Sequence, residues 1–509
     1  MYSYIYTAVI LGIEPIPVRV EADVSEGMPQ FDMVGYLSGE VKEARERVRT
    51  ALNHSGYRLP PKKITINLTP ANVKKSGNGC DLPVAAAILS ALGVIDQELL
   101  SHYLIMGEVG LDGSILPVRG ALAAAIMASE KQMHGVILPS ANAREAAVYA
   151  GIPIYPVASI SHFIELCYEG FPKEAVSPVT TGKMRADYPV DFSEIRGQPL
   201  ARLGAEIAAS GMHNLLLIGP PGSGKSMLAK RMPTILPDLT LEEKLEVSKI
   251  YSVYGVGEEE AYLRNERPFR APHHTITARA MAGGGSIPRP GEISLAHHGV
   301  LFLDELTEYD SHVLEILREP LEEKRIHISR VETTISYPAD FLLLAAMNPC
   351  KCGYYPDMNR CTCTVSSLRR YINRVSRPLL DRIDLCVQMS SLTCSDLWSE
   401  RPTEDSETIR KRVETVQKIQ AERFRGRGYL FNSQIPSGDI TAFCRMEQDA
   451  SALAWEQYEK LQMTARGFYK LLRVSRTIAD MEQSECIRIP HFQKALLFRG
   501  LDKSYWKLG

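Results

Sequence analysis

The chain has 509 residues, 45% hydrophobic and 23% charged, with a formal net charge of −2; this excludes a disordered polyelectrolyte and supplies no overall basic excess announcing a nucleic-acid partner. At about 150 residues per domain, the length predicts roughly three domains. The opening MYSYIYTAVILGIEPIPVRV has no basic leader and is broken by Glu14 and Pro15, and no run approaches about 18 uninterrupted apolar residues, so a cytoplasmic protein with neither signal peptide nor membrane span is expected.

In residues 1–172, β-rich runs such as Lys63–Leu68 and Gly135–Leu138 alternate with helical stretches such as Leu82–Leu92 and Ala121–Ala128, predicting an α/β domain. The strings GNGCDLPVAAAILSAL (Gly77–Leu92) and GEVGLDGSILPVRGALAA (Gly107–Ala124) resemble the segments of Lon-type proteases that carry the catalytic serine and lysine. Gly79 and Leu122 stand at those two positions, and neither can attack a carbonyl or take a proton. The resemblance therefore implies a Lon-like fold without its dyad, serving binding or assembly. Cys80, one residue along, would need a base and an altered register to substitute. Residues 173–190 lack apolar periodicity and carry Pro, Ser, Thr and Gly, which predicts a linker.

A second domain is expected over 191–390, a P-loop αβα core with a parallel sheet announced by the apolar runs Leu215–Ile218, Val300–Leu303 and Phe341–Ala346. The run Gly219-Pro220-Pro221-Gly222-Ser223-Gly224-Lys225-Ser226 matches G-x-x-x-x-G-K-S/T, follows the first of these strands and precedes a helical stretch. That context makes it a phosphate cradle: backbone N–H groups turn inward, Lys225 reaches the β/γ-phosphates of ATP, and Ser226 ligates Mg²⁺. Val300–Leu303 ends in Asp304 and Glu305, the first suited to hold magnesium and the second to polarise an attacking water. His273-His274 and His297-His298 lack an accompanying carboxylate pattern such as H-E-x-x-H, so they are read as shaping the loops beside this strand rather than as a metal centre.

Two further segments stand out by residue type: Gly283–Glu292, too glycine-rich to be a core element, and Lys324–Tyr337, which reads as a hairpin offering Lys324, Arg325 and Arg330 to phosphates, with a solvated hairpin face as the alternative. Cys350, Cys352, Cys361 and Cys363 supply the four thiolates of a structural Zn²⁺ site, although C-x-C is tighter than the usual spacing and free thiols or a redox pair remain the alternatives. Residues 391–509 read as a helical lid, with Glu407–Glu422 and Ala465–Met481 its clearest helices. The basic stretch Arg410–Arg427 lies on the first of these and equally suits an exposed helix face.

Through DFSEIRGQ (Asp191–Gln198), GPPGSGKS, RPFRAPHHT (Arg267–Thr275), GGGSIPRPGEISLAHHGVLFLDEL (Gly283–Leu306), AAMNPC (Ala345–Cys350) and RPLLDRIDL (Arg377–Leu385), the sequence resembles the YifB/ComM family of magnesium-chelatase-like AAA+ proteins over essentially its whole length. The resemblance implies an ATP-driven, homo-oligomeric ring, commonly a hexamer. It makes Asn348 the polar sensor that orients water, with a strand-end turn residue as the alternative. Arg382 becomes the finger that one subunit inserts into its neighbour's site, or else a surface ion pair with Asp381 or Asp384. Arg466 becomes the second sensor coupling nucleotide to lid, with Arg473 a rival. The implied substrate is single-stranded or branched DNA, moved by a branch-migration helicase that aids integration of imported DNA in natural transformation. Other implied classes are a magnesium-chelatase motor subunit, disfavoured by the Lon-like segment, and an ATP-dependent protein-remodelling factor. An active protease is opposed by the missing dyad, and a non-enzymatic scaffold by the intact Lys225, Asp304 and Glu305.

Overall fold

Alternating burial builds the first sheet. In β2 (Glu14–Ser25), Val18, Val20, Ala22 and Val24 all face inward, and β1 (Tyr2–Leu11) pairs with it antiparallel through a tight turn at Gly12. The computed structural model describes every residue except 150, 172–175, 177–187, 256–264, 286–287, 330–333, 394–402 and 500–509. The sheet continues with β3 (Gln30–Val34), β4 (Lys63–Thr69) and β5 (Tyr103–Ile105). After a small ribbon, β6 (Glu108–Val109) and β7 (Ile115–Leu116), it is completed by β8 (Gly135–Pro139) and β9 (Ile154–Val157). Its order is β3-β4-β2-β1-β5-β8-β9, antiparallel through β4-β2-β1 and parallel elsewhere. The helix Asp81–Ala91 is buried on all sides, as its unbroken apolar run requires.

The second sheet contains β10 (Leu215–Ile218), β11 (Phe269–Arg270), β14 (Val300–Leu303), β17 (Leu342–Met347) and β18 (Leu385–Gln388), in the order β11-β14-β17-β10-β18 with every pairing parallel. Two ribbons project from it: β12 (Gly283–Gly284) with β13 (Arg289–Pro290), and the hairpin β15 (Arg325–Ser329) with β16 (Thr334–Pro338). Every residue of β10, β14 and β17 is buried, since helices cover both faces. Parallel strands bring their carboxyl ends to one edge, so the loops after β10, β14 and β17 converge there.

The helices Ser406–Arg423 and Ala465–Met481 begin at Asp405 and Thr464, whose side chains accept from Thr408 and Gly467 N–H. They share one apolar core with the sheet: Val413, Leu471 and Ile478 pack in the same cluster as Leu215, Leu217 and Val387. The first domain docks on this body at several places, among them Leu122 of the helix Ala121–Glu130 and Ile13 of the β1–β2 turn, which packs on Val247, Ile250 and Tyr251. Leu122, Ile126 and Val148 pack against Leu245, and Gly120 N–H donates to Ser252 O at 3.3 Å. The β1–β2 turn abuts the hairpin, because a Cβ on Gly12 (φ +69°) would lie 2.6 Å from Ile335 Cγ2. Among the described residues, no helix is long and apolar enough to cross a membrane.

Candidate active site

The loop after β10 turns back on itself at Gly222 (φ +77°) and Gly224 (φ +92°), then enters the helix Lys225–Ile235. A side chain at Gly219 would meet Met389 O at 2.8 Å, so the approach demands glycine. Lys225 Nζ donates to Gly219 O at 2.7 Å, Pro220 O at 2.9 Å and Asn348 Oδ1 at 3.1 Å. Burial lowers the pKa of that ammonium, and the charges of Asp304 and Glu305 oppose the shift. Ser226 Oγ donates to Asp304 Oδ2 at 2.6 Å. Lys225, Ser226, Asp304 and Asn348, from three strand ends, thus form one connected cluster. Glu305 sits beside it with φ +51°, its carboxylate 3.2 Å from His274 Nδ1.

Tertiary packing also supplies the carboxylate that the second histidine pair lacks in sequence. Glu246 Oε2 lies 3.0 Å from His297 Nε2 and 2.8 Å from His298 Nε2. Because His297 Nδ1 accepts from Asp340 N–H at 3.0 Å, its proton resides on Nε2 and is donated to Glu246. In that tautomer His297 presents no lone pair to a cation, and its two hydrogen bonds tie Glu246 and Asp340 to the segment before β14.

Arg382 is not paired with Asp381 or Asp384. Its Nη2 meets Glu322 Oε1 at 2.7 Å, and the same oxygen receives Arg466 Nη2 at 2.6 Å. This assembly lies at the far end of the strands from the phosphate loop. Asn214, just before β10, donates to Arg382 O at 2.9 Å, and β18 runs parallel to β10 with Leu215 beside Leu385 and Ile218 beside Gln388. Four residues of strand at about 3.3 Å each separate that end from Gly219 by roughly 13 Å. Arg466 is therefore brought to Arg382, not to Lys225; Arg473 lines the same cleft.

Sγ–Sγ separations are 3.2 Å for Cys350–Cys352, 3.8 Å for Cys350–Cys361 and 3.6 Å for Cys352–Cys361, and Cys363 completes a group whose sulfurs all lie within 4.8 Å of one another. Tetrahedral zinc with bonds of about 2.3 Å places its sulfurs about 3.8 Å apart, close to the two separations that involve Cys361, whereas a disulfide needs about 2.05 Å, which none of the three approaches. The cluster touches the phosphate loop: a Cβ on Gly353 (φ +86°) would come 2.5 Å from Pro221 Cδ.

Of the cations offered to a substrate, Lys324 is engaged by Asp340 at 3.0 Å, Arg325 is exposed, and Arg330 lies outside the described residues. On the basic helix, Arg410, Lys411, Arg412 and Arg423 are held in ion pairs with Asp238, Glu407, Glu206 and Asp480. Of the residues compared above with the Lon segments, Gly79 faces Met106 and Val118, Leu122 is fully buried, and burial pushes the Cys80 thiol up to about 12.

A parallel sheet with a phosphate loop, an acidic strand end and a polar strand end on one edge defines a AAA+-type ATPase. Family models agree: "Magnesium chelatase, subunit ChlI" matches residues 191–397, "Subunit ChlI of Mg-chelatase" 20–142, and "Magnesium chelatase, subunit ChlI C-terminal" 403–499. The chain is 40% identical over 504 residues to the uncharacterized protein YifB of Escherichia coli (strain K12), covering 98% of this chain and 97% of that one. It is 36% identical over 513 residues to competence protein ComM of Haemophilus influenzae, covering 99% of each. A Lon protease of Roseiflexus castenholzii is 33% identical over 132 residues, 24% of this chain and 16% of that one. The chain belongs to the YifB/ComM family of magnesium-chelatase-like proteins.

Proposed function

We propose that the chain is a cytoplasmic, ring-forming motor, a hexamer, that couples ATP hydrolysis to movement on single-stranded or branched DNA, as a branch-migration helicase aiding integration of imported DNA in transformation and recombination. The observation that carries this reading is the intact Lys225–Ser226–Asp304–Asn348 cluster in a chain 36% identical, over 99% of both lengths, to a competence protein. The division proposed is a Lon-like unit at 1–172, a linker at 173–190, the ATPase core at 191–390 and a helical lid at 391–509.

In this mechanism Lys225 exchanges its carbonyl partners for the β/γ-phosphates, Asn348 orients water, and Glu305 polarises it. Ser226 and Asp304, two hard oxygens 2.6 Å apart, fit Mg²⁺ and would hold it; the ion neutralises phosphate charge when bound. Arg382, at the opposite strand end from its own loop, acts on a neighbour's nucleotide. Cys350, Cys352, Cys361 and Cys363 hold structural zinc that braces the segment after Asn348. The Lon-like unit is an assembly module without peptidase activity, supported by Leu122 at the contact with Leu245. Arg325 and the β12–β13 ribbon face the DNA.

A chelatase motor subunit is the reading favoured by the descriptions of the matched family models. The Lon-like segment does not argue against it, because residues 20–142 match a chelatase description too. ATPase turnover with and without single-stranded, duplex and four-way-junction DNA separates the two. Several-fold stimulation by single-stranded or branched DNA is expected, and indifference to every DNA refutes the DNA motor.

A further inference from the structure

We propose that Glu322 is a positioning residue that binds Arg382 and Arg466 into one unit presented to the nucleotide of the adjacent subunit. The proposal rests on the trans reading of Arg382.

One carboxylate oxygen, Glu322 Oε1, receives both Nη2 groups, at 2.7 and 2.6 Å. The two arginines reach it from different parts of the chain: Arg382 leads into β18, and Arg466 stands in the first turn of the helix that Thr464 caps. Their surroundings differ in a way that gives Glu322 its task. Arg382 is pinned from behind, with Nε on Arg318 O at 3.2 Å and Nη1 on Pro378 O at 2.6 Å, and its side chain is 9% exposed. Its Nη2 is the nitrogen turned to Glu322. Arg466 is 52% exposed, and Glu322 is its one hydrogen-bond partner among the described residues. Without that carboxylate, a long, solvated side chain would sample many rotamers, and ordering one costs roughly 0.5–1.5 kcal/mol.

Charge is uneven only within the trio. Two guanidiniums on one carboxylate leave one positive charge there, in a cleft of about 980 Å³ whose whole lining balances Lys324, Lys470 and Arg473 and the two arginines against Glu322, Glu323, Asp340, Asp381 and Asp384. A phosphoryl group carries more charge and more acceptor oxygens than a carboxylate, so it can draw both Nη2 groups from Glu322 together. The cleft is at the strand end away from its own phosphate loop, so a loop-bound nucleotide whose phosphoryl group reaches it is one held by another chain. Glu322 therefore prepays the orientation of Arg466 and keeps it beside Arg382 until that group arrives.

The test uses full-length protein. Glu322→Ala is expected to bind ATP within twofold of wild type yet turn over about tenfold more slowly, the scale of a misoriented group. Glu322→Gln keeps an acceptor oxygen and should recover at least half of the loss. In an Arg382→Ala background, Glu322→Ala should add little, because both act through one unit. Rings mixing Glu322→Ala with Lys225→Ala subunits should regain ATPase activity, since intact loops then meet intact arginine units on the Lys225→Ala chains; Arg382→Ala with Lys225→Ala is the reference mixture. Wild-type turnover in Glu322→Ala overturns the proposal, as does recovery in the reference mixture but not in the Glu322→Ala mixture. If verified mixed rings recover in neither case, the trans reading of Arg382 itself falls.

Discussion

Gly353 connects the cysteine cluster to the phosphate loop by contact alone, so Gly353→Ala tests whether that contact matters to nucleotide binding. The added Cβ would lie 2.5 Å from Pro221 Cδ and 3.0 Å from Pro221 Cγ, on a backbone with φ +86°. The left-handed conformation costs an L-residue roughly 1–2 kcal/mol, and this stays within the cysteine segment. Overpacking adds about 1–3 kcal/mol, relieved in the free protein by moving Pro221 and thereby the loop. ATP needs the loop returned to its original shape, so the second cost reappears as lost affinity. At about 2 kcal/mol, and about 1.4 kcal/mol per decade, nucleotide should bind roughly 30-fold more weakly. Titration of a fluorescent ATP analogue measures this, with zinc content and melting temperature as checks on the fold. Replacing Pro221 by Ala in the same chain removes the clashing atoms and should restore most of the affinity. Wild-type affinity in a properly folded Gly353→Ala protein would refute the coupling.

Lys225→Ala should weaken ATP binding by a hundredfold or more, since two charge-assisted hydrogen bonds at about 1.5–3 kcal/mol each are lost; Glu305→Gln should bind normally and turn over about 10²–10⁴-fold more slowly. Equal binding and turnover in Lys225→Ala and wild type would defeat the site assignment. Protein purified without chelator should carry about one equivalent of zinc by elemental analysis, lost when Cys350 and Cys361 are replaced by Ser; metal-free, fully folded wild type would exclude it. Leu122→Lys should lower the melting temperature sharply, because an ammonium would be buried against Leu245 at a cost of several kcal/mol. Even combined with Gly79→Ser it should cleave no fluorogenic peptide; a stable, peptidase-active double variant would show that the buried face opens.

Local pattern made much of the fold legible. β10, β14 and β17 are continuous apolar runs because both faces of their sheet are covered, and β17 begins and ends one residue later than the run Phe341–Ala346 suggests. The hairpin at Lys324–Tyr337 and the helix Ala465–Met481 also follow from alternation and from a 3.6-residue stripe. The carboxy-terminal helices do not form a separate layer with its own core, because apolar periodicity identifies the buried face without identifying what covers it.

The phosphate loop is readable from sequence because its chemistry is local: glycines, Lys225 and Ser226 are consecutive, and the backbone itself does most of the binding. The partners of the charged side chains are not local. Lys225 and Asn348 are 123 residues apart, Arg466 and Glu322 are 144 apart, and Glu246 precedes His297 by 51. No spacing rule links such pairs; strand order and helix docking bring them together, and a carboxylate goes to whichever cation the packing leaves within reach. For the same reason the sequence determines that Gly79 and Leu122 cannot perform serine–lysine chemistry, whereas only the tertiary structure decides that Leu122, with Ile126 and Val148, packs against Leu245 of the ATPase body.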